Sequence, residues 1–318
     1  MPFEYRRRRR RCVWGLLVFL SLTSWGADGT VPPPASVRAQ RIIQGPAGDP
    51  FSLPSDAAVN RNGDLYVLDG VNHRVVVYDR VGTFRFMFGV RGSGKGQLLS
   101  PLGIGLATDG TVYVADSGNH RIQAFTGLGE ALHVIPLPTS GRKAPPDPTD
   151  VALNPDQTRL YIVDNDNHVL DVYNLTDRCF EAVWGSPGQG RRQFRYPFLI
   201  DTSAQGYIFI VEPINTRVQV LNPKGKFVSF VGNWGIQAGQ LFRPKGVAVL
   251  GEIIFVTDSY LGRIQMFTMA GEFLGMLSDT QGAPVTLITP TGITVDTQER
   301  ILYVVELKAN RICCMALE

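Results

Sequence analysis

Apolar residues from residue 40 onward come in short runs of four to seven, rich in β-branched and aromatic side chains and bounded by Gly, Asp or Asn. Such runs are typical of β-strands. The segments Asn60-Arg-Asn-Gly63 and Thr108-Asp-Gly110 lie between consecutive runs and suit tight hairpins. No helical period of useful length occurs. The pattern therefore predicts an all-β protein built from antiparallel strands.

A thirteen-residue pattern, clearest from Tyr113 to Phe125, returns in more or less altered form along the chain. Its six copies start at residues 66, 113, 161, 209, 255 and 303, which are 46 to 48 residues apart. This period lies in the range expected of propeller blades. Each repeat contains four strand-like runs, and four antiparallel strands form one blade. We predict a six-bladed β-propeller of four-stranded antiparallel blades over residues 40–318.

The two ends of the chain predict how the ring closes. The last repeat stops after its third run, Arg311 to Ala316, and leaves that blade one strand short. The segment from Gln40 to Gly45 is similar to the fourth runs of other repeats, such as Phe84 to Gly89. Pairing this N-terminal strand with the last blade would remove an exposed sheet edge.

Repeat two carries the motifs Pro-x-Gly-Ile, at residues 101–104, and Tyr-Val-Ala-Asp-Ser-Gly-Asn-His-Arg-Ile-Gln, at residues 113–123. With the glycine-rich run ending in Gly96-Gln-Leu98, these motifs resemble the NHL repeat family of β-propellers. The resemblance covers residues 40–318, and we expect a secreted, bacterial member of that family. It specifies the fold and leaves the function open, because that family includes lyases, RNA-binding modules and protein scaffolds.

An acid followed five residues later by Arg recurs in five of the six repeats. A catalytic group is needed once, so repetition in nearly every blade indicates a structural role. We expect each carboxylate to accept loop N–H groups or to pair with the Arg. The pairs are Asp69/Arg74, Asp116/Arg121, Glu212/Arg217, Asp258/Arg263 and Glu306/Arg311, whereas Asp164 is followed by Val169.

Two sets of residues are candidates for metal ligands. His73, His120 and His168 occupy the same place in three successive repeats, and the resemblance implies zinc as a candidate metal, since the lyase branch of the family uses zinc. We expect each histidine to lie in its own blade interface and not in a shared metal site. Asp56 and Asp150 stand near the start of the first strand of their blades, where three other repeats have Gly and one has Leu199. They are candidates for calcium or substrate at the channel mouth, and the alternative is an Asp that caps a turn. We expect no cofactor, with calcium or zinc as the alternative.

The long connections between blades are rich in cations. In an antiparallel blade these connections share one end of the propeller with the turns between second and third strands. This basic loop face predicts an acidic or anionic partner, namely a protein or an anionic polymer. Plain solvated surface is the alternative, and export argues against nucleic acid. The predicted partner-binding residues are Arg91, Lys95, Arg191, Arg192, Arg195, Tyr196, Trp234, Arg243 and Lys245, with Phe198 beside them.

The N-terminus predicts export. The run Arg6 to Arg11 precedes an apolar stretch, Val13 to Leu22, and a small-residue site ending at Gly26. These features are typical of a signal peptide over residues 1–26, followed by a linker over 27–39. The apolar stretch is about half the roughly 20 residues of a membrane-spanning helix, which argues against a permanent anchor. A retained membrane anchor is the alternative. We expect a secreted or periplasmic protein with no stable membrane span after processing.

The mature chain would be close to neutral and would hold three cysteines. Six of the 31 basic residues belong to the N-terminal arginine run, so processing would leave 25 basic and 27 acidic residues. Cys179 belongs to the third repeat, and Cys313 and Cys314 belong to the sixth, on the opposite side of the ring. We expect buried free thiols, because a bridge requires Cα atoms within about 7 Å.

No nucleophile elbow and no His-Glu-x-x-His motif occurs in the chain. We therefore expect a non-enzymatic scaffold that binds its partner through the basic loop face, with no assigned catalytic residue. The alternative is a metal-assisted lyase or hydrolase acting at the mouth of the central channel, with Asp56, Asp150 and Lys245 as its residues. The sequence specifies neither the ligand nor the oligomeric state.

Overall fold

The computed structural model describes residues 33–318, so the predicted signal peptide lies outside the described residues. Its strands, in chain order, are β1 Ser36–Gln44, β2 Asp56–Val59, β3 Leu65–Asp69, β4 Arg74–Tyr78, β5 Phe84–Phe88, β6 Gly103–Leu106, β7 Val112–Asp116, β8 Arg121–Phe125, β9 Ala131–Pro136, β10 Pro148–Leu153, β11 Arg159–Asp164, β12 Val169–Asn174, β13 Cys179–Trp184, β14 Ile200–Thr202, β15 Ile208–Glu212, β16 Arg217–Leu221, β17 Phe227–Val231, β18 Pro244–Leu250, β19 Ile253–Asp258, β20 Arg263–Phe267, β21 Phe273–Met276, β22 Ser278–Asp279, β23 Pro290–Asp296, β24 Ile301–Glu306 and β25 Arg311–Leu317.

The described residues form a six-bladed β-propeller, as predicted. Blades one to five are the antiparallel sheets β2–β5, β6–β9, β10–β13, β14–β17 and β18–β21. The first strand of each blade contacts the first strands of its two neighbours, so these strands form the inner ring. Two short 3-10 helices, Ser117–Asn119 and Leu307–Ala309, lie in the turns between second and third strands of blades two and six.

The N-terminal strand closes the ring, which confirms the predicted closure. β1 pairs antiparallel with β25, from Val37 opposite Leu317 to Gln44 opposite Arg311. It begins at Ser36, before the predicted Gln40, and its first two residues also pair in parallel with β22. The sixth blade therefore combines β23, β24, β25 and β1, with β22 added at its outer edge.

The hydrophobic core is divided among the six interfaces between blades. Each of the six clusters in residues 33–318 combines residues of two neighbouring blades. Second and third strands pack on both faces, so β3 and β4 are buried throughout, whereas the outer strand β5 is mostly exposed. Burial on both faces explains why the inner runs of the sequence are continuously apolar.

Candidate functional site: the basic loop face

Six buried carboxylates fix the loops at the end of the propeller where the first strands begin. Each stands at the end of a second strand and accepts a hydrogen bond from a main-chain N–H of the connection that enters its own blade. In blade two, Asp116 accepts from the N–H of Leu99 at 2.7 Å. The six acid and N–H pairs are Asp69 with Ser52, Asp116 with Leu99, Asp164 with Asp147, Glu212 with Arg195, Asp258 with Phe242, and Glu306 with Ile288. The predicted structural role of the repeated acid is therefore confirmed.

The remaining residues of the repeat complete these contacts. Asn119 and the Nε of Arg121 donate to Asp116 at 2.9 and 2.7 Å. The Nη groups of Arg121 donate to the carbonyl oxygens of Ser93, Gly94 and Gln97 in the loop before the blade. The repeat thus uses its own Arg to hold the loop backbone, and that Arg is not available to a partner.

Blade three replaces the missing Arg with a residue from outside the repeat. Arg142, in the connection that enters the blade, forms an ion pair with Asp171 and lies 3.9 Å from Asp164. Burial raises the pKa of Asp171 to about 6, although Arg142 opposes the shift. Sequence reasoning missed Arg142, because the residue belongs to a connection that has no counterpart in the repeat pattern.

The predicted Asp258/Arg263 pair does not form an ion pair within 4.0 Å in residues 33–318. Asp258 instead accepts four main-chain N–H groups, those of Phe242, Arg243, Tyr260 and Leu261. Arg263 donates to the carbonyl oxygens of Ile236 and Gln237. Both residues still fix the loops of blade five, but each does so through backbone groups.

Three connections that carry the predicted cations share one conformation. Isolated β-bridges join Arg91 to Leu98, Pro187 to Phe194 and Trp234 to Leu241. A glutamine closes each loop: Gln97 accepts from the N–H of Gly94, and Gln193 and Gln240 do the same in their loops. Gly92 has a φ of 156°, which favours glycine, and a Cβ there would displace the Gln97 side chain that closes the loop. The loops therefore present their side chains from a hydrogen-bonded backbone.

The predicted cations of these connections lack acidic partners. None of the seven has a carboxylate oxygen within 4.0 Å among residues 33–318: Arg91, Lys95, Arg191, Arg192, Arg195, Arg243 and Lys245. All are exposed except Lys245, which is half-buried. Three of them lie over aromatic rings: Arg191 over Phe227 at 5.0 Å, Arg243 over Tyr260 at 5.9 Å and Lys245 over Phe198 at 4.3 Å. Such contacts hold a cation in place without neutralising its charge.

Large apolar side chains are exposed on the same face. Trp234, Tyr260 and Tyr196 have 70%, 62% and 46% of their surfaces exposed. Other exposed apolar residues lie in the same set of loops and turns: Leu53, Val71, Val90, Ile214, Ile236 and Ile288. The sequence analysis named Tyr196 and Trp234 and missed Tyr260. The loop face therefore combines unneutralised cations with apolar contact area.

The three repeated histidines bridge neighbouring blades. The Nδ1 atoms of His73 and His168 accept the main-chain N–H groups of Ser100 and Tyr196, at 2.9 and 3.1 Å. The Nδ1 of His120 lies 2.6 Å from the carbonyl oxygen of Pro146. Each histidine bonds to the connection that enters the next blade, which confirms the expectation of separate interface positions. No group of three potential metal-ligating residues occurs in residues 33–318.

Asp56 and Asp150 lie on the wall of the central channel and link neighbouring inner strands. Asp56 accepts the N–H of Ile104 in blade two, and Asp150 accepts that of Ile200 in blade four, at 3.1 and 2.8 Å. Asp201, which sequence reasoning missed, accepts the N–H of Val249 in blade five at 3.0 Å. The carboxylates thus have a structural function as acceptors, and a metal at Asp56 and Asp150 stays a prediction.

The three aspartates surround a cavity of about 570 Å³. Burial raises the pKa of Asp201 to about 7. Burial also raises the pKa of Asp56, and that of Asp150 is raised by burial and then by the charge of Asp56. Lys245 does not line this cavity. The carboxyl groups therefore form a separate group from the cations of the loop face.

The cysteines are free, as expected, but only two of them are buried. Cys313 and Cys314 lie in β25, where burial raises the pKa of Cys313 to about 12 and that of Cys314 to about 11. Cys179 is exposed, which corrects the expectation of three buried thiols. It is the first residue of an outer strand, where one face of the sheet is open to solvent.

The repeat pattern agrees with a known family. The NHL repeat matches residues 51–78 and 98–125, which contain the second and third strands and the fixed acids of blades one and two. Two of the six blades therefore carry NHL repeats. The matched segments contain the carboxylates and arginines that hold the loops of blades one and two, whereas the predicted cations all lie outside these segments.

The relatives of this NHL-repeat propeller share either a segment or the fold. A segment of 136 residues is 32% identical to the protein brain tumor of Drosophila melanogaster and covers 42% of this chain and 12% of that protein. A streptogramin B lyase structure has a TM-score of 0.64 at 12% identity, covering 88% of this chain and 98% of that one. A Bacteroides thetaiotaomicron protein of unknown function has a TM-score of 0.65 at 16% identity, covering 89% and 73%. Both structural likenesses establish the fold alone.

The described part of this NHL-repeat propeller, residues 33–318, has no helix with the length and apolar character needed to cross a membrane.

Proposed function

We propose that this NHL-repeat propeller is an exported, non-enzymatic scaffold that binds an acidic or anionic partner through its basic loop face. The observation that carries the proposal is the division of the charges. Arginines of the repeat are occupied within the fold, whereas the seven predicted cations have no carboxylate within 4.0 Å in residues 33–318. NHL propellers commonly bind proteins, which supports a protein partner.

The geometry of the loops supports binding over plain solvated surface. Side chains on a hydrogen-bonded backbone lose less conformational entropy when they meet a partner. The exposed rings of Tyr196, Trp234 and Tyr260 supply the type of contact area found at binding hot spots. The nearby cations would steer an acidic partner to these rings.

Affinity capture tests the proposal. The tagged full chain and the variant Arg191→Ala/Arg192→Ala/Arg195→Ala would be used as baits in the native extracellular or periplasmic fraction at matched salt. A control variant, Arg38→Ala/Arg61→Ala/Arg85→Ala, removes the same charge from exposed positions in the closing strand and blade one, away from the loops of blades three and four. A partner retained by wild type and control but lost by the loop variant supports the proposal, and the same proteins in all three captures would refute it.

A second candidate function is a lyase or hydrolase that acts in the channel cavity. It is supported by three carboxyl groups with raised pKa around one cavity, since a carboxylic acid that keeps its proton near neutral pH is suited to general acid catalysis. A metal is not required for this arrangement. Stoichiometric calcium or zinc that is present in the purified wild type and absent from Asp150→Asn would favour the metal-assisted form.

A further inference from the structure

Lys245 is the one predicted cation of the loop face that is half-buried. It lies near the start of β18, and its Nζ is 4.3 Å from the ring centroid of Phe198 in the neighbouring blade. The backbone of Phe198 is fixed, since its carbonyl oxygen accepts from Thr149 at 2.7 Å and its N–H donates to Val211 at 2.9 Å. Both residues therefore stand at strand entrances of the inner ring and not on free loops.

The charge of Lys245 is not balanced within the fold. Burial lowers the pKa of Lys245, and the positive charge of Arg243 lowers it further. No carboxylate lies within 4.0 Å of either cation among residues 33–318; the nearby Asp258 accepts four loop N–H groups. A half-buried cation beside a second positive charge gains more from an anion than a fully solvated, isolated side chain does.

The surroundings of this pair are aromatic. Arg243 lies over Tyr260, whose ring centroid is 4.4 Å from that of Phe242. We call Phe198, Phe242, Arg243, Lys245 and Tyr260 the Lys245 cleft. The exposed aliphatic residues Ile214 and Ile236 on the same face add contact area that suits apolar side chains. Protein segments supply such side chains, whereas nucleic acids offer phosphates and stacked bases.

We propose that the Lys245 cleft receives an aspartate or glutamate carboxylate of a partner protein segment, with an apolar neighbour of that segment packed on Tyr260. This inference rests on the proposed scaffold function and names its anchor point. The carboxylate binds at Lys245 and Arg243, because these are adjacent cations without an internal counterion. The remaining cations of the loop face guide the approach of the segment.

A peptide-binding measurement tests the anchor. The probe is a dye-labelled peptide of three Glu-Leu repeats, compared with three Gln-Leu repeats and with a hexamer of uridylate RNA. We expect the acidic peptide to bind wild type best and to lose about tenfold or more in affinity with Lys245→Gln, the loss typical of a partly shielded charge. Lys224→Gln, which removes an exposed cation from the turn between β16 and β17, outside the predicted partner-binding residues, should change affinity by no more than about twofold.

A second readout reports on the Lys245 amine directly. Reductive methylation with labelled formaldehyde gives each lysine a dimethylamine signal, and the Lys245 signal is assigned by its absence in Lys245→Gln. Its chemical shift should move when the acidic peptide is added and stay unchanged with the neutral peptide. An unmoved signal, equal losses in both Gln variants, or preferred binding of the RNA would overturn the inference. The proposed function would survive that result if the capture experiment still separated the loop variant from its control.

Discussion

Removal of Asp116 is expected to destabilise the propeller by much more than the loss of one surface charge. The side chain is fully buried and accepts four hydrogen bonds, from Leu99 N–H at 2.7 Å, Asn119 at 2.9 Å, Arg121 at 2.7 Å and Gln123 at 3.0 Å. Asp116→Ala would leave a guanidinium N–H and a main-chain N–H without acceptors. Breaking a buried ion pair costs about 3–5 kcal/mol. Because Arg121 retains three carbonyl acceptors, we expect the lower end, about 3 kcal/mol.

Equilibrium urea unfolding, followed by tryptophan fluorescence, would measure this change. Asp109→Ala is the matched control, since Asp109 lies in an exposed turn and accepts only the N–H of Thr111, at 2.8 Å; we expect a cost of about 0.5–1 kcal/mol there. A double-mutant cycle with Arg121→Ala should give a coupling of about 1–3 kcal/mol. A free energy of unfolding for Asp116→Ala that equals that of Asp109→Ala would refute the structural role of the repeated acid.

Three further predictions concern burial and pH. Arg142→Ala should lower the free energy of unfolding by about 3 kcal/mol at pH 7 and by less at pH 5, where Asp171 is protonated. Equal losses in urea titrations at both pH values would contradict the stabilising role of the Arg142–Asp171 ion pair. The raised pKa of Asp201 means that the folded state holds a proton that the unfolded state loses, so the free energy of unfolding should fall as pH rises from about 4 to about 7. Asp201→Asn should reduce this slope by up to about 1.4 kcal/mol per pH unit in the same urea titrations. An unchanged slope would argue against the raised pKa. Ile43→Ala in the closing strand should cost about 2–4 kcal/mol and the more exposed Ile42→Ala under about 1 kcal/mol, and equal costs would show that this strand is not packed as described.

Features that the repeat encodes could be predicted from the sequence, because the same apolar runs and the same acid recur in each copy. The blade strands, the closing strand from Gln40 and the role of the acids follow from such copies. Residues whose partners are distant in the sequence could not be found in this way. Arg142 pairs with Asp171 of its own blade, and Asp201 accepts the N–H of Val249 in the next blade. Neither position belongs to the repeat pattern. The added strand β22 has only two residues, which pair with Ser36 and Val37 of β1, so its sequence carries no strand signal.

The cations of the candidate site could be predicted from the sequence, whereas the burial and exposure of individual side chains could not. Charge in the connections identified the cations, and the parity of the strands brought them to one face. Burial is a property of the folded ring, so the sequence did not distinguish half-buried Lys245 from exposed Lys95. Nor did it reveal Tyr260, whose exposure depends on the turn that follows β19.

The most direct test of the account is the affinity of the captured partner for wild type, the loop variant and the charge-matched control, each measured at low and at physiological salt. We expect wild type and control to bind alike and to weaken as salt rises, because exposed charges are screened. The loop variant, Arg191→Ala/Arg192→Ala/Arg195→Ala, should bind at least about tenfold more weakly at low salt and depend less on salt. Wild-type affinity and salt dependence in the loop variant would contradict the claim that this face recruits the partner.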